Sequence, residues 1–185
     1  TLPLNVAALS TAAATVRELG APEPACESGL AIARQVHALT DDAELATAAL
    51  LAQARAQSGI PDDAALEKRF NAGILKLTRE LQRLGELGLP NGWTAAQGLN
   101  AQQTETVRKM LLAVAADPRL IVARLAGQLQ RLQRARELSA NEQQRLAVET
   151  REIFAPLANR LGVWTLKWEL EDLAFRTLEP AAYHR

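Results

Sequence analysis

Apolar residues recur along this chain at helical spacing, in one stretch after another, and no stretch sustains the alternation of a strand. That pattern restricts the chain to helix packing on helix. Alanine and leucine dominate and β-branched residues are few, which favours helix further. Hydrophobic residues make up 48% of the 185 positions and charged residues 23%. That suffices for one domain with a real core and a linking extension.

Stop signals divide the chain. A first helix runs from about Leu4 to Leu19, ending at Gly20 with Pro22 and Pro24 beyond. A second covers about Ala25 to Leu39. Thr40, Asp41 and Asp42 offer N-caps for a third that reaches about Gln57, with Glu44 as capping-box partner to Asp41. Ser58-Gly59-Ile60-Pro61 ends it. Asp62 starts a short helix, and a longer one spans about Phe70 to Leu84. GELGLPNGWTAAQG, residues 85–98, is the most loop-like region.

Asn100 with Gln103 reads as the next cap. Val107, Met110, Leu111 and Val114 then form one buried stripe. Asp117-Pro118 caps a helix to about Glu137. Its apolar face carries Ile121, Leu125, Leu129 and Leu132, its other face Arg119, Arg124, Arg131, Arg134 and Arg136. Ser139 with Glu142 is a capping box for the helix toward Leu161, which Pro156 should kink. Gly162 precedes a last helix, about Val163 to Leu178, stopped by Pro180. Trp164 and Trp168 share a face expected to pack against Ile153 and Leu157.

Composition excludes some functions. Basic and acidic residues balance to a formal net charge of zero, so a polyanion is not the expected main ligand. The single cysteine, Cys26, allows no internal disulfide and reads as a small buried hydrophobe. No apolar run approaches the roughly 20 residues that span a bilayer. The chain lacks an initiator Met and stops at PAAYHR, which reads as an excised fragment or a chain missing its partner domain.

The residues alone offer little chemistry. His37 and His184 are far apart, and there is no HExxH, CxxC or Gly-rich phosphate loop. Tandem Asp41-Asp42 reads as a cap rather than a metal site. His37 reads as a packed or capping histidine. The arginine face around Arg124, Arg131 and Arg134 reads as solvated or domain-docking, with nucleotide phosphate binding as the alternative.

Three blocks carry a resemblance. AVETREIFAPLANRLGVWTLKWELEDLAFRTLEP runs from Ala147 to Pro180. TVRKMLLAVAADPRLIVARLA runs from Thr106 to Ala126. SGLAIARQVHAL leads from Ser28 toward Ala48-Ala49-Leu50-Leu51. Together they resemble the RelA/SpoT family, which makes and breaks the alarmone (p)ppGpp. The resemblance is strong over about Thr104–Tyr183 and moderate over Ser28–Leu51.

The resemblance implies an all-α bundle of about eight to ten helices with the HD-domain fold. It implies residues 1–145 as the hydrolase-like domain and 146–185 as an extension toward a synthetase domain. Active family hydrolases hold one divalent metal, by implication Mn²⁺, through an early His, an AALLHDVVEDT-like segment and the Asp of a KLADRLHNMR-like segment. This chain departs at each. Ser28 stands at the early His, Ala52 and Gln53 at the HD pair, and Gly127 at the Asp. Ala56 and Gln57 replace an acidic pair, and Gln130 and Arg131 replace His-Asn. Hydroxyl, methyl, amide and glycine supply neither imidazole nor anionic oxygen.

The resemblance also implies a role. The chain is expected not to be an enzyme itself and to hold no metal or cofactor. It is expected to pack against the synthetase domain of the same polypeptide; separately from the resemblance, the loop 85–98 is a candidate surface for homo-oligomerisation. The parent that the resemblance implies is a cytoplasmic, ribosome-associated GTP pyrophosphokinase. The chain itself is expected to contact neither membrane nor nucleic acid. The alternatives are a guanine-nucleotide sensor in the decayed cleft and a residual (p)ppGpp hydrolase.

Overall fold

The computed structural model describes residues 4–58, 63–89, 93–94, 97–114 and 117–180. Among them are helices and no strand. The helices are α1 (Leu4–Glu18), α2 (Glu23–Thr40), α3 (Ala43–Ser58), α4 (Asp63–Glu67) and α5 (Ala72–Gly85), then α6 (Ala101–Val114), α7 (Pro118–Gln133), α8 (Ala140–Glu149), α9 (Ala155–Arg160) and α10 (Trp164–Leu178). The all-α expectation holds. Asp62, the Gly59-Ile60-Pro61 stop, the side chain of Val114, part of the 85–98 loop and His184 lie outside the described residues.

The chain divides into two compact units. The first comprises residues 1–85 and 117–126, the second 86–116 and 127–185. Residues 145 and 146 both fall inside α8, in the second unit.

In the first unit α3 is the central helix, packing on α1, α2 and α5. Residues 45–51 of α3, LATAALL, are buried without a break, as expected of a helix covered on every side. Ile32 and Val36 of α2 and Leu75 of α5 complete this core. Each such aliphatic side chain contributes about 1.5–3 kcal/mol by leaving water. Gly29 permits the close approach of α2 to α3: a Cβ there would stand 3.1 Å from the Leu50 carbonyl oxygen.

The α2–α3 junction differs from the expected capping box. Asp41 sits in the left-handed region (φ 52°) as the C-cap of α2, its N–H donating to the His37 carbonyl. Asp42 caps α3, accepting the Leu45 N–H at 2.9 Å. Glu44 is drawn instead to Asn71, whose amide donates to it at 2.8 Å. A tight link between two packed helices uses one aspartate to end the first and the next to begin the second.

In the second unit α6, α8, α9 and α10 gather around the π-helical turn Thr150–Phe154. The Ala155 N–H reaches back five residues to the Thr150 carbonyl. Pro156, which lacks an N–H, comes immediately after, so the expected kink takes the form of a widened turn. Ile153, Phe154 and Leu157 fill the centre with Leu166 and Leu170 of α10. The capping box on α8 forms as expected between Ser139 and Glu142.

Two apolar assignments are corrected. Met110 is 49% exposed, and Thr104 and Leu111 form the buried side of α6. Trp164 and Trp168 are exposed, because the inward face of α10 is Leu166, Leu170 and Ala174. The choice between apolar faces depends on which neighbours cover them, and helical spacing does not encode that.

Candidate functional site

Ser28 lies buried in α2. Gln53 lies in α3, and its Nε2 donates to Ser28 Oγ at 3.2 Å across the helix pair. Two positions singled out from the sequence thus meet, as a neutral amide and a neutral hydroxyl bonded to one another. Ala52 sits beside Gln53 and is half-buried, while Ala56 and Gln57 are exposed in the last turns of α3.

Gly127 lies within α7, at the start of the second segment of the second unit. A Cβ built on it meets no described atom within 4 Å. Gln130 is half-buried and Arg131 exposed further along the same helix. Among the described residues, no three His, Cys, Asp or Glu side chains come together in a way that could hold a metal ion.

The other singled-out groups have local partners. Arg119 pairs with Asp42 and, through Nη2 at 2.6 Å, with Asp117. Its guanidinium holds the Asp117 carboxyl below the usual range. Asp42 therefore spends one oxygen on the cap and one on Arg119, which leaves the Asp41-Asp42 tandem serving as helix termini. His37 Nε2 lies 3.8 Å from Asp41 Oδ1 at the end of α2. Cys26 is fully buried with its Sγ 3.8 Å from the Ala21 carbonyl, and burial pushes its thiol up.

The arginines of α7 and of the turn that follows it do not form a single open face. Arg124 is buried and its Nε donates to the Leu84 carbonyl at 3.3 Å. Arg134 pairs with Glu137 at 2.8 Å. Arg131 alone of the three candidate docking arginines is exposed.

Sequence reasoning missed Glu149, a carboxylate that is 3% exposed. The signal was present: Glu149, Ile153 and Leu157 are spaced by four, so an acid stands in an apolar stripe. The shared face of Trp164 and Trp168 was legible, but it points outward rather than onto Ile153 and Leu157, and it also includes Phe175. At 100° per residue, Trp164, Trp168 and Phe175 fall within an arc of about 40°. They are 56%, 64% and 44% exposed. Lys167 Nζ lies 4.1 Å from the Trp168 ring centroid, a cation–π contact.

Comparison with known proteins decides the family. Residues 6–164 match the HD domain family. This chain is an HD domain of the RelA/SpoT family. It is 39% identical over 158 residues to a GTP pyrophosphokinase of Haemophilus influenzae, covering 85% of this chain and 21% of that protein. A probable guanosine-3′,5′-bis(diphosphate) 3′-pyrophosphohydrolase of Synechocystis is 53% identical over 83 residues, covering 45% of this chain and 11% of that protein. The bifunctional (p)ppGpp synthase/hydrolase RelA of Mycobacterium tuberculosis is 48% identical over 84 residues, again 45% of this chain and 11% of the relative. The chain thus spans between about a tenth and a fifth of the length of these relatives. No helix among the described residues is long and apolar enough to cross a membrane.

Proposed function

We propose that this chain is a catalytically inactive, regulatory HD domain of a GTP pyrophosphokinase. The observation that carries the reading is the Gln53–Ser28 hydrogen bond. Two of the positions that resemble metal-ligand positions satisfy each other with uncharged groups. A divalent ion that must also bind phosphate needs anionic oxygen or imidazole around it. Ser28, Ala52, Gln53 and Gly127 offer neither, so the residues present do not fit the Mn²⁺ of the family's hydrolases, and no hydrolytic step is derived through it.

In this reading the parent transfers diphosphate from ATP to the 3′-hydroxyl of GTP or GDP in a domain beyond this chain. The parent is cytoplasmic and ribosome-associated through other domains. This chain acts by packing against the synthetase domain of the same polypeptide, with residues 146–185 as the connecting extension. The exposed aromatic face of α10 supports that role, since Trp164, Trp168 and Phe175 lie within those residues. Coupling then requires contacts that differ between active and inactive states of the synthetase.

The nucleotide-sensor alternative is weakened by the burial of Arg124 and the pairing of Arg134 with Glu137. The deciding experiment incubates the chain with (p)ppGpp and Mn²⁺. No diphosphate release above background is expected. Sustained release with turnover would sink the proposal in favour of a residual hydrolase.

A further inference from the structure

The buried carboxylate of Glu149 is bonded from two directions. Oε1 accepts the Leu89 backbone N–H at 2.7 Å. Oε2 accepts Gln128 Nε2 at 3.2 Å. The same Nε2 reaches Thr150 Oγ1 at 3.0 Å, and the Thr150 hydroxyl donates to the Leu146 carbonyl at 2.7 Å. Arg145, one turn earlier on α8, donates to the Leu89 carbonyl at 3.3 Å. Leu89 is therefore held through both its N–H and its C=O by one helix, although about 60 residues of chain separate them.

Two further features define the contact. A carboxylate removed from water is costly unless donors meet it, so Glu149 and the Leu89 amide depend on each other. The approach also leaves no room at Gly88. A Cβ there would stand 2.1 Å from Glu149 Oε1, and the three nearest atoms all belong to Glu149. Gly88 does not have a positive φ, so alanine there meets no left-handed strain. The conflict is with the carboxylate alone, and that flexible end is what must move.

The latch sits where the helix changes character. Glu149 is the last residue of α8, and Thr150 opens the π turn. We propose that Glu149 is a latch that fastens residues 88–89 to the start of the π turn, so that releasing the carboxylate loosens loop and turn together while the α10 core stays folded. The proposal is independent of the catalytic reading above.

Amide hydrogen exchange tests it residue by residue. In Glu149→Ala and in Gly88→Ala, the Leu89 amide should exchange faster by roughly ten- to hundredfold, the range for losing a hydrogen bond to a carboxylate. The Ala155 amide, which closes the π turn, should accelerate with it. The Leu170 amide should keep its native rate. In the Glu149→Ala background, Gly88→Ala should add nothing, since its only conflict is gone. Native exchange of Leu89 or Ala155 in Glu149→Ala would overturn the latch, as would simple additivity of the two changes. If Glu149→Ala does not fold, Gly88→Ala decides alone: faster Leu89 and Ala155 with unchanged Leu170 supports the latch, and any other pattern overturns it.

Discussion

Gly29 of α2 lies against the Leu50 carbonyl oxygen of α3 with so little clearance that a Cβ would come within 3.1 Å of it. The neighbour is backbone in the most buried helix of its unit, so it yields little. Two effects compete in Gly29→Ala. Better helix propensity stabilises by about 1 kcal/mol, and crowding offsets it, leaving a change within about 1 kcal/mol of zero. Gly29→Val adds more bulk against the same carbonyl with a smaller gain in helix propensity and should cost about 1–3 kcal/mol. Denaturant unfolding of both variants checks this; a valine variant as stable as the wild type would mean that α2 and α3 can separate freely.

Gly127 presents the opposite situation. A Cβ at this helical position meets no described atom within 4 Å. Gly127→Ala should therefore stabilise by about 0.5–1 kcal/mol through backbone entropy alone. Gly127→Asp, which places a carboxylate where the resemblance expects one, should leave the fold intact. A fall in unfolding midpoint for the alanine variant would show that the space is needed.

Acid should loosen the start of α8 before it loosens the cores. The Ser139 hydroxyl and N–H both bond Glu142 and hold its carboxyl below the ordinary range. A carboxyl lowered in the folded state contributes stability that is fully present above its unfolded value. That contribution is lost as pH falls through the folded value. The Ser139 amide, which donates to that carboxylate, and the Glu142 amide, which donates to the Ser139 hydroxyl, should lose protection in that window. Glu142→Gln, which can still form a capping box, should abolish this pH dependence while keeping most of the protection at neutral pH.

The Ser28–Gln53 bond should register as a modest coupling. Each alanine variant should cost about 0.5–1.5 kcal/mol, and the double variant should cost less than their sum. A double-mutant cycle in urea measures it. Strict additivity would mean that the two side chains do not meet in solution, which would remove the observation on which the proposed function rests.

What could be read from the sequence was local. Ser139-x-x-Glu142 encodes its cap within four residues, and the cap formed. The all-helical class came from spacing repeated over the whole chain. The failures were tertiary. Nothing in the order Thr40-Asp41-Asp42 says which aspartate ends α2 and which begins α3; the packing of the two helices decides it. Pro156 announced a distortion, but its form as a π turn one step earlier depends on how α8 and α10 seat Ile153 and Phe154. Glu149 was passed over because an acid is expected in water, and only the folded chain brings Leu89 and Gln128 to it.

Trp164 and Trp168 separate docking from folding. Both are more than half exposed, whereas Leu170 on the opposite side of α10 is fully buried. Changing the two tryptophans to alanine removes side chains that lie more than half in water, with the Lys167 contact to Trp168 the main loss, so its unfolding free energy should shift by about 1 kcal/mol or less each. Leu170→Ala should cost about 2–5 kcal/mol. Under the proposed function the same tryptophans are large apolar anchors for the synthetase domain, where such residues carry much of an interface's affinity. The double variant should therefore weaken association with a separately produced synthetase domain by tenfold or more, about 1.4 kcal/mol. Titration calorimetry with wild-type and variant chains measures it. Unchanged affinity in a variant that keeps its unfolding midpoint would exclude this face of α10 as the docking surface.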